Sequence, residues 1–385
     1  MAANKNAVRV TNERHVLEQV FNYGPISRSQ VSKNLDLNKV TVSEIVADLL
    51  SRDYLIELGQ GDSTKNGGRK PTMLQFNADL GYVIVYDLGF DFVDRMVNKI
   101  DGTIVAVDRY PVGEMTVEER INLMIEMADL SNMEDQLPLL GVAVSVHGIV
   151  NENRVIYTPT LDFKGLDVAK MLWQKLNVPV VLENEANLSV IYERDFDTKE
   201  WVSNIVCVSI HKGIGAGIIL HNQLYRGNRG EAGEIGHTIL TNGNFADGET
   251  PATATIEQMY SEDAIIERLR KDTGDAQLGR QDVVKRYRAG DPVIHQYLDE
   301  FCRAIANVIY NVGVTMAPQL VALNSGLVAA IPELFSKIQA DMPRLTENDP
   351  PVILVKDVRN ATLLGGASII IHQLLNVESG ALSFN

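Results

Sequence analysis

A short acidic motif near the middle of the chain holds residue types that bind hydroxyl groups. In the stretch VLENEANLSV, residues 181–190, Glu183 and Glu185 flank Asn184 at the end of an apolar run. Two carboxylates and an amide in this arrangement could bind a polyhydroxyl ligand, act as a base, or cap the helix that follows. The surrounding elements must decide between these three roles.

A second motif carries a carboxylate and an imidazole. In RGNRGEAGEIGHTIL, residues 226–240, Glu234 and His237 are three positions apart. On a helical turn this spacing puts both side chains on one face. They could contact a ligand, lie at the surface, or form a satisfied buried pair, and the spacing alone leaves these alternatives open.

A glycine cluster lies between the two motifs. Gly213, Gly215 and Gly217 alternate in HKGIGAGI and follow an apolar strand, but the sequence after them does not predict a helix. A dinucleotide site needs that helix, so the pattern does not predict a Rossmann fingerprint. Alternating glycines in a β-hairpin instead allow a ligand or another backbone to approach closely.

The strands and helices that must position these motifs follow a similar order twice along the chain. From residue 81 an antiparallel meander is followed by a helix and a buried strand, and strands and helices then alternate again to the end of the chain. This order predicts two α/β lobes with a cleft between them. The acidic motifs follow predicted strands, where a cleft would open.

Composition separates the chain into two parts. The 385 residues have a net charge of −15, but residues 1–80 hold ten basic and nine acidic side chains. The larger part therefore carries the negative charge, and this asymmetry indicates that the two parts have different roles. No apolar run is long enough for a membrane span, and no apolar signal core follows the first Met, so a cytoplasmic protein is expected. Cys207 and Cys302 lie in apolar contexts and are predicted to be buried thiols.

The first part contains residues that typically begin and end helices. Gly24-Pro25 ends one helix, Ser27 and Gln30 predict a capping box on the next, and Asn38 predicts a cap on a third. Two short strands follow, around the polar loop GQGDSTKNGGRKP. The pattern predicts a winged helix-turn-helix over residues 1–78, and a three-helix protein-interaction module is the alternative.

The predicted DNA contacts lie on the second and third helices and on the loop. Hydroxyl, amide and basic side chains there can reach base edges or phosphates, and the glycines of the loop permit close approach to the backbone of the duplex. The residues expected to meet double-stranded DNA are Ser27, Arg28, Asn38, Lys39, Thr41, Ser43, Lys65, Arg69 and Lys70.

Several motifs together resemble one family. GGRKP, DLG, ENEAN, GIGAG and RGNRGEAGEIGH occur in this order, and in this order they closely resemble the ROK family of repressors and sugar kinases. The resemblance covers nearly the whole chain. The N-terminal motifs are most similar to those of the xylose repressors of Gram-positive bacteria.

The resemblance implies a fold and a sugar site. Residues 79–385 would form a two-lobed actin-like domain of the ribonuclease H-like, sugar kinase type, with lobes at approximately 79–185 and 186–385 and a closing helix that returns to the first lobe. By match to the family motifs, the sugar-binding residues would be Asn184, Glu185, Glu234, His237 and Glu257. Xylose is the first expectation, with glucose or an N-acetylated hexosamine next.

The sequence also departs from the kinases of the family. Family kinases carry Asp where this chain has Glu185, and Asp-x-Gly-x-Thr where it has Asp87-Leu-Gly-Phe-Asp91. A longer carboxylate and a bulky ring oppose the positioning that phosphoryl transfer needs. The expectation is therefore no enzyme but a homodimeric repressor, or a dimer of dimers, that sugar binding releases from DNA. The alternatives are an ATP-dependent sugar kinase with a fused regulatory domain and a sugar sensor that acts on another protein.

No cofactor is expected. Most family members hold a structural zinc through a cysteine run and the His of GEIGH, but the matching segment here, NFADGETPATATIEQ, contains no cysteine. Thiolate ligation is impossible there, so the family zinc is predicted to be absent.

Overall fold

The computed structural model describes residues 2–60, 70–131, 135–198, 202–241, 253–346 and 349–384. Contacts divide the chain into two compact units. The first comprises residues 1–147, 153–183 and 366–385, and the second comprises 148–152 and 184–365. Residues 1–78, predicted as a separate domain, therefore share a unit with the first sheet and the end of the chain.

The N-terminal head contains the three helices and two strands that the sequence predicts, and one further short strand. Its elements are α1 (Ala2–Tyr23), β1 (Ile26–Ser27), α2 (Arg28–Asn34), α3 (Lys39–Ser51), β2 (Leu55–Gln60) and β3 (Thr72–Phe76). The strands form an antiparallel sheet in the order β1-β3-β2. The helices bury the predicted apolar positions, among them Val20, Val42 and Val46.

The caps of the head follow the sequence in part. Asn38 Oδ1 accepts from Thr41 N at 2.8 Å, as predicted. Ser27 Oγ accepts from Gln30 N at 3.2 Å, but the reciprocal half of the predicted capping box is wrong. The Gln30 side chain donates to Asn34 Oδ1 instead, one helical turn further on. The Gln30 side chain therefore bonds to an i,i+4 partner on the helix surface and not to the backbone N–H of Ser27.

The rest of the first unit is built on a five-stranded sheet in the order β10-β7-β4-β5-β6. Its elements are β4 (Tyr82–Leu88), β5 (Phe92–Lys99), β6 (Ile104–Pro111), α4 (Val117–Met127), β7 (Leu139–Val146), β9 (Arg154–Tyr157), α5 (Val168–Leu176) and β10 (Val180–Asn184). The short strand β8 (Ile149–Asn151), between β7 and β9 in the chain, falls in the second unit. Strands β4 to β6 form the predicted antiparallel meander, and β7 pairs with β4 in parallel. Strand β4 is buried along its whole length.

The second unit has a five-stranded sheet in the order β13-β12-β11-β16-β17. Strands β11 and β12 form the antiparallel hairpin predicted around the glycine cluster, and β16 and β17 extend the sheet in parallel. Its strands are β11 (Ile205–Ile210), β12 (Ile214–Leu220), β13 (Gln223–Leu224), β14 (Ile239–Thr241), β15 (Thr253–Thr255), β16 (Leu320–Ser325) and β17 (Val352–Leu354).

The helices that follow β10 in the chain lie mostly in the second unit. They are α6 (Glu185–Tyr192), which continues as a π-helix over Glu193–Asp197, then α7 (Ile256–Tyr260), α8 (Glu262–Thr273), α9 (Arg280–Arg288), α10 (Pro292–Met316), α11 (Gly326–Ala330), α12 (Pro332–Asp341) and α13 (Ala361–Leu375). The apolar period of VAAIPELFSKIQADM predicts a single helix over residues 328–342, and this prediction is wrong, because the helix is broken before Pro332. Proline lacks the N–H that would continue the helix and instead begins α12 at its first position.

Helix α13 belongs to both units. Residues 361–365 fall in the second unit and residues 366–375 in the first. Both cysteines are buried and unpaired with each other, as predicted. Within the described residues, the structure contains no helix whose length and apolarity would suit a membrane span.

Candidate functional site

Asn184 is fixed where β10 meets α6. Its Oδ1 caps α6 by accepting from Asn187 N at 3.1 Å, and its Nδ2 donates to Gly148 O at 2.8 Å. Of the three roles that the sequence left open, capping is therefore filled by this residue. The cap sets the direction in which α6 leaves the strand and so places the next side chain, Glu185.

Glu185 lies in a pocket of hydroxyl groups. Its side chain is nearly buried, and its Oε1 accepts from Ser209 Oγ at 2.8 Å and from Ser189 Oγ at 3.1 Å. Thr362 Oγ1 of α13 lies 3.3 Å from the same oxygen, and His211 Nε2 lies 3.4 Å from it. Hydroxyl groups thus hold a buried carboxyl group in one orientation, and a side chain fixed in this way is suited to ligand binding.

The second predicted group of residues also comes together. His237 Nε2 lies 3.8 Å from Glu234 Oε2 and 3.6 Å from Glu257 Oε1. Glu234 precedes a short 3₁₀ turn, Ile235–His237, so the three-residue spacing does put both side chains on one face. Burial raises the pKa of Glu234, His237 opposes this shift, and Glu257 adds to it. The imidazole thus lies between two carboxylates, and all three groups are partly exposed.

The β11–β12 hairpin joins the two groups. Glu257 Oε2 accepts from Ile214 N at 3.4 Å, and a Cβ on Gly213 would lie 2.9 Å from the same oxygen. Further along β12, a Cβ on Gly217 would overlap the Ala186 carbonyl of α6. The alternating glycines therefore admit another backbone and a carboxylate, as the pattern indicated, and both predicted groups meet the hairpin near residues 211–214.

Sequence reasoning missed the side chains that hold Glu185. Ser189, Ser209 and Thr362 lie within apolar runs where a small hydroxyl residue gives little signal, and their link to Glu185 appears only after folding. Asn324, at the end of β16, extends the network by donating to Ser189 Oγ at 2.9 Å. Buried polar residues at strand ends, as in CVSI and LNSG, were the available signal.

The region of the family phosphate loop lies at the end of β4 in the first unit. Asp87 Oδ1 is 2.9 Å from His147 Nε2, at the ends of β4 and β7. The Phe92 ring covers Gly89 where a Cβ would be, and the buried Arg120 guanidinium donates to Gly89 O at 2.8 Å. The Asp87 carboxylate and the Gly89 carbonyl thus form hydrogen bonds to side chains of the protein itself.

The described residues contain no group of three or more His, Cys, Asp and Glu placed to hold a metal ion. The segment that matches the family zinc loop lies mostly in 242–252, outside the described residues. His237 lies beside the Glu234 and Glu257 carboxylates. The prediction that no zinc is bound stays a prediction.

The predicted DNA contacts of the head fall into three groups. Ser27 and Asn38 are the caps of α2 and α3, and Arg28 Nη2 is paired with Glu57 Oε1 at 2.7 Å. Three side chains at the start of α3 and one at the end of the loop between β2 and β3 are exposed or half-buried. They are Lys39, Thr41, Ser43 and Lys70. Lys65 and Arg69 lie outside the described residues.

Comparisons with known proteins agree with this architecture. The model of the ROK family matches residues 83–373. The xylose repressor of Lactiplantibacillus pentosus is 36% identical over 99% of this chain and 97% of its own. The xylose repressor of Staphylococcus xylosus is 37% identical over 96% of each chain.

Solved structures share the fold. A ROK family transcriptional regulator described as a homologue of the E. coli MLC protein matches 97% of this chain and 98% of its own, with a TM-score of 0.77 at 20% identity. A ROK family glucokinase from Streptomyces griseus, solved with glucose and AMPPNP, matches 75% of this chain and 99% of its own, with a TM-score of 0.63 at 21% identity. The resemblance inferred from the order of the motifs is confirmed, and the chain belongs to the ROK family.

Proposed function

We propose that the chain is a sugar-responsive transcriptional repressor that binds double-stranded operator DNA and is released by a sugar of the xylose type. The observation that carries this proposal is the near full-length similarity to proteins named xylose repressors, head included. Genes of xylose or related sugar catabolism are the proposed targets. The proposed working form is a homodimer, or a dimer of dimers, in the cytoplasm.

The head supports the DNA half of the proposal. Two capped helices, α2 and α3, are joined by a tight turn and followed by the β2–β3 pair, which is the order of a winged helix-turn-helix. Lys39 and Ser43 at the start of α3 are exposed, and Ser43 Oγ donates to Lys39 O at 2.7 Å. We propose that α3 enters the major groove and that Lys70 meets a phosphate.

The second unit supports the sugar half. Asn184, Glu185, Glu234, His237 and Glu257 gather around the β11–β12 hairpin, and we propose that they bind sugar hydroxyls. Neutral sugars are recognised by planar polar groups in paired hydrogen bonds, and each bond left unmade in a closed site costs about 1–3 kcal/mol. Sugar must bind the released state better than the DNA-bound state, since a ligand without that preference shifts nothing.

Two measurements test the DNA half together. A duplex is first selected from a randomised pool with the full chain, and its affinity is then measured by fluorescence anisotropy with and without D-xylose. We expect selection of a sequence with two related half-sites and an affinity that falls about tenfold or more with xylose. A pool that shows no enrichment would contradict the repressor function, and enrichment without any response to a pentose and hexose panel would contradict sugar control.

The sugar half is tested by calorimetry against the same panel. Glu234→Gln and Glu257→Gln each exchange a carboxylate for an amide of the same size. We expect each to weaken xylose binding by about 5–150-fold, equivalent to about 1–3 kcal/mol. Glu333→Gln, an exposed change on α12, is the matched control and should leave the affinity unchanged. Equal affinities for all three variants would remove these carboxylates from the site.

Sugar phosphorylation is the second candidate function. The fold likeness to a glucokinase solved with glucose and AMPPNP favours it. The Asp87–His147 pair and the Phe92 ring over Gly89 oppose it, because phosphoryl transfer depends on positioning and charge neutralisation. ADP release in step with each sugar of the panel would establish the kinase, and we expect none above the rate without sugar.

A further inference from the structure

The last residues of the chain pack against the DNA-binding head. After α13 the chain turns back, and residues 377–384, here called the tail, run along α1. Asn22 of α1 holds the tail at two points, because its Nδ2 donates to Ala381 O at 2.7 Å and its Oδ1 accepts from Ser383 N at 2.9 Å. A side-chain amide used in this way imitates a backbone hydrogen-bond pair and fixes the register of the contact.

Apolar contacts also join the tail to α1. The Phe384 ring, which is 4% exposed, packs edge-on against Phe21 of α1 with centroids 5.3 Å apart. Phe21 in turn lies 4.8 Å from the Phe76 ring of β3, so the contact continues into the sheet of the head. On its other side, Phe384 faces His372 of α13 at 5.9 Å and occupies the space that a Cβ on Gly102 would need.

Charged groups lie further along the contact between the tail and α1. Arg14 Nη1 of α1 is 3.3 Å from Glu378 Oε1 of the tail. Burial raises the pKa of Glu18, and the neighbouring Glu378 carboxylate acts in the same direction while His15 and Arg14 oppose it. The tail therefore meets α1 at both ends of a stretch of about two turns, from Arg14 to Asn22, and not at a single point.

The tail is also held from α13. Leu382 N donates to His372 Nε2 at 3.3 Å, and His372 Nδ1 lies 2.9 Å from Ser368 O. Near the other end of the same helix, Thr362 Oγ1 contacts Glu185 Oε1 at 3.3 Å. Ten residues separate Thr362 from His372, which corresponds to about 15 Å along one helix.

Close packing fixes the middle of α13. A Cβ on Gly365 would overlap the Leu188 carbonyl oxygen of α6, the helix that begins with Glu185. A Cβ on Gly366 would collide with Val85 of β4. Each glycine therefore packs closely within its own unit, Gly365 in the second and Gly366 in the first. A movement of α6 would therefore displace α13 directly.

We propose that the tail is a strap that holds α1 of the head, and that α13 joins this strap to the Glu185 cluster, so that a ligand at Glu185 changes DNA affinity through α13. The proposal rests on the proposed function for its ligand and its DNA. The strap itself is a property of the chain alone. Sugar binding and DNA binding each remain possible without it, but the response of one to the other requires it.

Two variants loosen the strap by different means. Phe384→Ala removes the ring between α1 and α13, and Asn22→Ala removes both hydrogen bonds to the tail. Their controls are Leu345→Ala, an exposed apolar truncation, and Asn34→Ala, which removes hydrogen bonds that stay within the head. Asn22→Ala also guards against the case in which the Phe384 variant fails to fold.

Hydrogen exchange and DNA release are measured on the same full-length proteins. In the Phe384 and Asn22 variants we expect α1 amides to exchange about tenfold faster, while those of β16 are unchanged. We expect the ratio of affinities for the selected duplex without and with D-xylose to fall about fivefold or more towards one. The calorimetric affinity for D-xylose should change less than about threefold.

The outcomes separate the strap from the proposed function. Unchanged α1 exchange in both variants overturns the strap. Faster exchange with an unchanged affinity ratio overturns the coupling through α13. If the wild-type chain binds the duplex but ignores xylose, or binds no duplex, the proposed function fails, and the exchange rates of α1 still decide whether the tail holds the head.

Discussion

Single side chains in the candidate site depend on neighbours that are remote in the sequence. Glu185 receives hydrogen bonds from Ser209, 24 positions away, and from Thr362, 177 positions away. The motif ENEAN locates the carboxylate, since acceptors that follow a strand are visible in the sequence. The hydroxyl groups that orient it could not be predicted, because their distance in the chain carries no local pattern. Residue types were therefore predictable here, but their orientation was not.

One prediction at this scale concerns that orientation. Ser209→Ala removes the 2.8 Å hydrogen bond from Ser209 Oγ to Glu185 Oε1 without changing a group proposed to touch the sugar. A hydrogen bond to a charged group contributes about 1.5–3 kcal/mol, so we expect xylose affinity to fall by roughly 10–150-fold. Calorimetry measures the change. Ser43→Ala, on the exposed surface of α3, is the control, and an unaltered affinity in the Ser209 variant would show that Glu185 needs no such support.

A second prediction concerns a buried carboxyl in the π-helix after α6. Burial raises the pKa of Glu193 to about 7, and the neighbouring Asp197 carboxylate acts in the same direction. The folded state therefore binds a proton that the unfolded state releases near pH 4.5, the ordinary value. Stability from this group is present at low pH and is lost as pH rises through about 7, by at most about 3 kcal/mol.

Glu193→Gln tests the sign of that effect. The amide resembles the protonated acid at every pH, so we expect the variant to raise the free energy of unfolding at pH 8 and to change it little at pH 5. Thermal or urea unfolding at the two pH values measures it. The exposed Glu114→Gln is the control. A Glu193 variant that is less stable at pH 8 than the wild type would contradict the assignment.

Among the elements, α13 depends on the absence of side chains at two adjacent positions. Gly365 and Gly366 leave no room for a Cβ, whereas Gly313 in α10 has its nearest neighbour, Pro350, at 3.8 Å. We expect Gly365→Ala to destabilise the fold by about 1–3 kcal/mol through overpacking against a backbone carbonyl. We expect Gly313→Ala to stabilise it by about 0.5–1 kcal/mol through helix propensity. Chemical denaturation of both variants checks the opposite signs.

Elements were predictable where one local signal dominated. The strands β4 to β7 and β10 to β12 are apolar runs bounded by turn residues, and their positions agree with the sequence. Helices α8 and α9 were missed because their exposed faces are strongly charged and their apolar residues are few. The break before Pro332 was missed because the apolar period continues through it, although the missing N–H begins a new helix there.

At the scale of the whole chain, charge is distributed unevenly. The head is near neutral within a chain of net charge −15, so the proposed contact with DNA must rely on a few basic side chains near α3 and the loop between β2 and β3. We expect operator affinity to fall steeply with salt. Lys39→Ala should reduce the slope of log K against log salt by about 0.9 for each phosphate that is no longer neutralised, which is about 1.8 in a symmetric dimer. Anisotropy titrations at several salt concentrations measure the slope.

Lys175→Ala, an exposed change on α5, is the control for that titration. An unchanged slope for Lys39→Ala would show that this side chain does not contact the phosphate backbone. A fall in affinity at every salt concentration with the same slope would instead indicate a base contact.

The family, and with it the fold of two α/β units, was predictable because several motifs occur in a fixed order. The packing of the tail against the head was not, because eight residues of mixed composition predict no partner.

The two thiols of the chain offer a practical route to its motions. Burial raises the pKa of Cys302 to about 12 and that of Cys207 well above its usual value, so both are inaccessible and protonated at neutral pH. A maleimide dye will then label only cysteines that are introduced on purpose. Val40→Cys on α3 and Val293→Cys on α10, both exposed, would form a donor and acceptor pair for single-molecule energy transfer on an otherwise native chain.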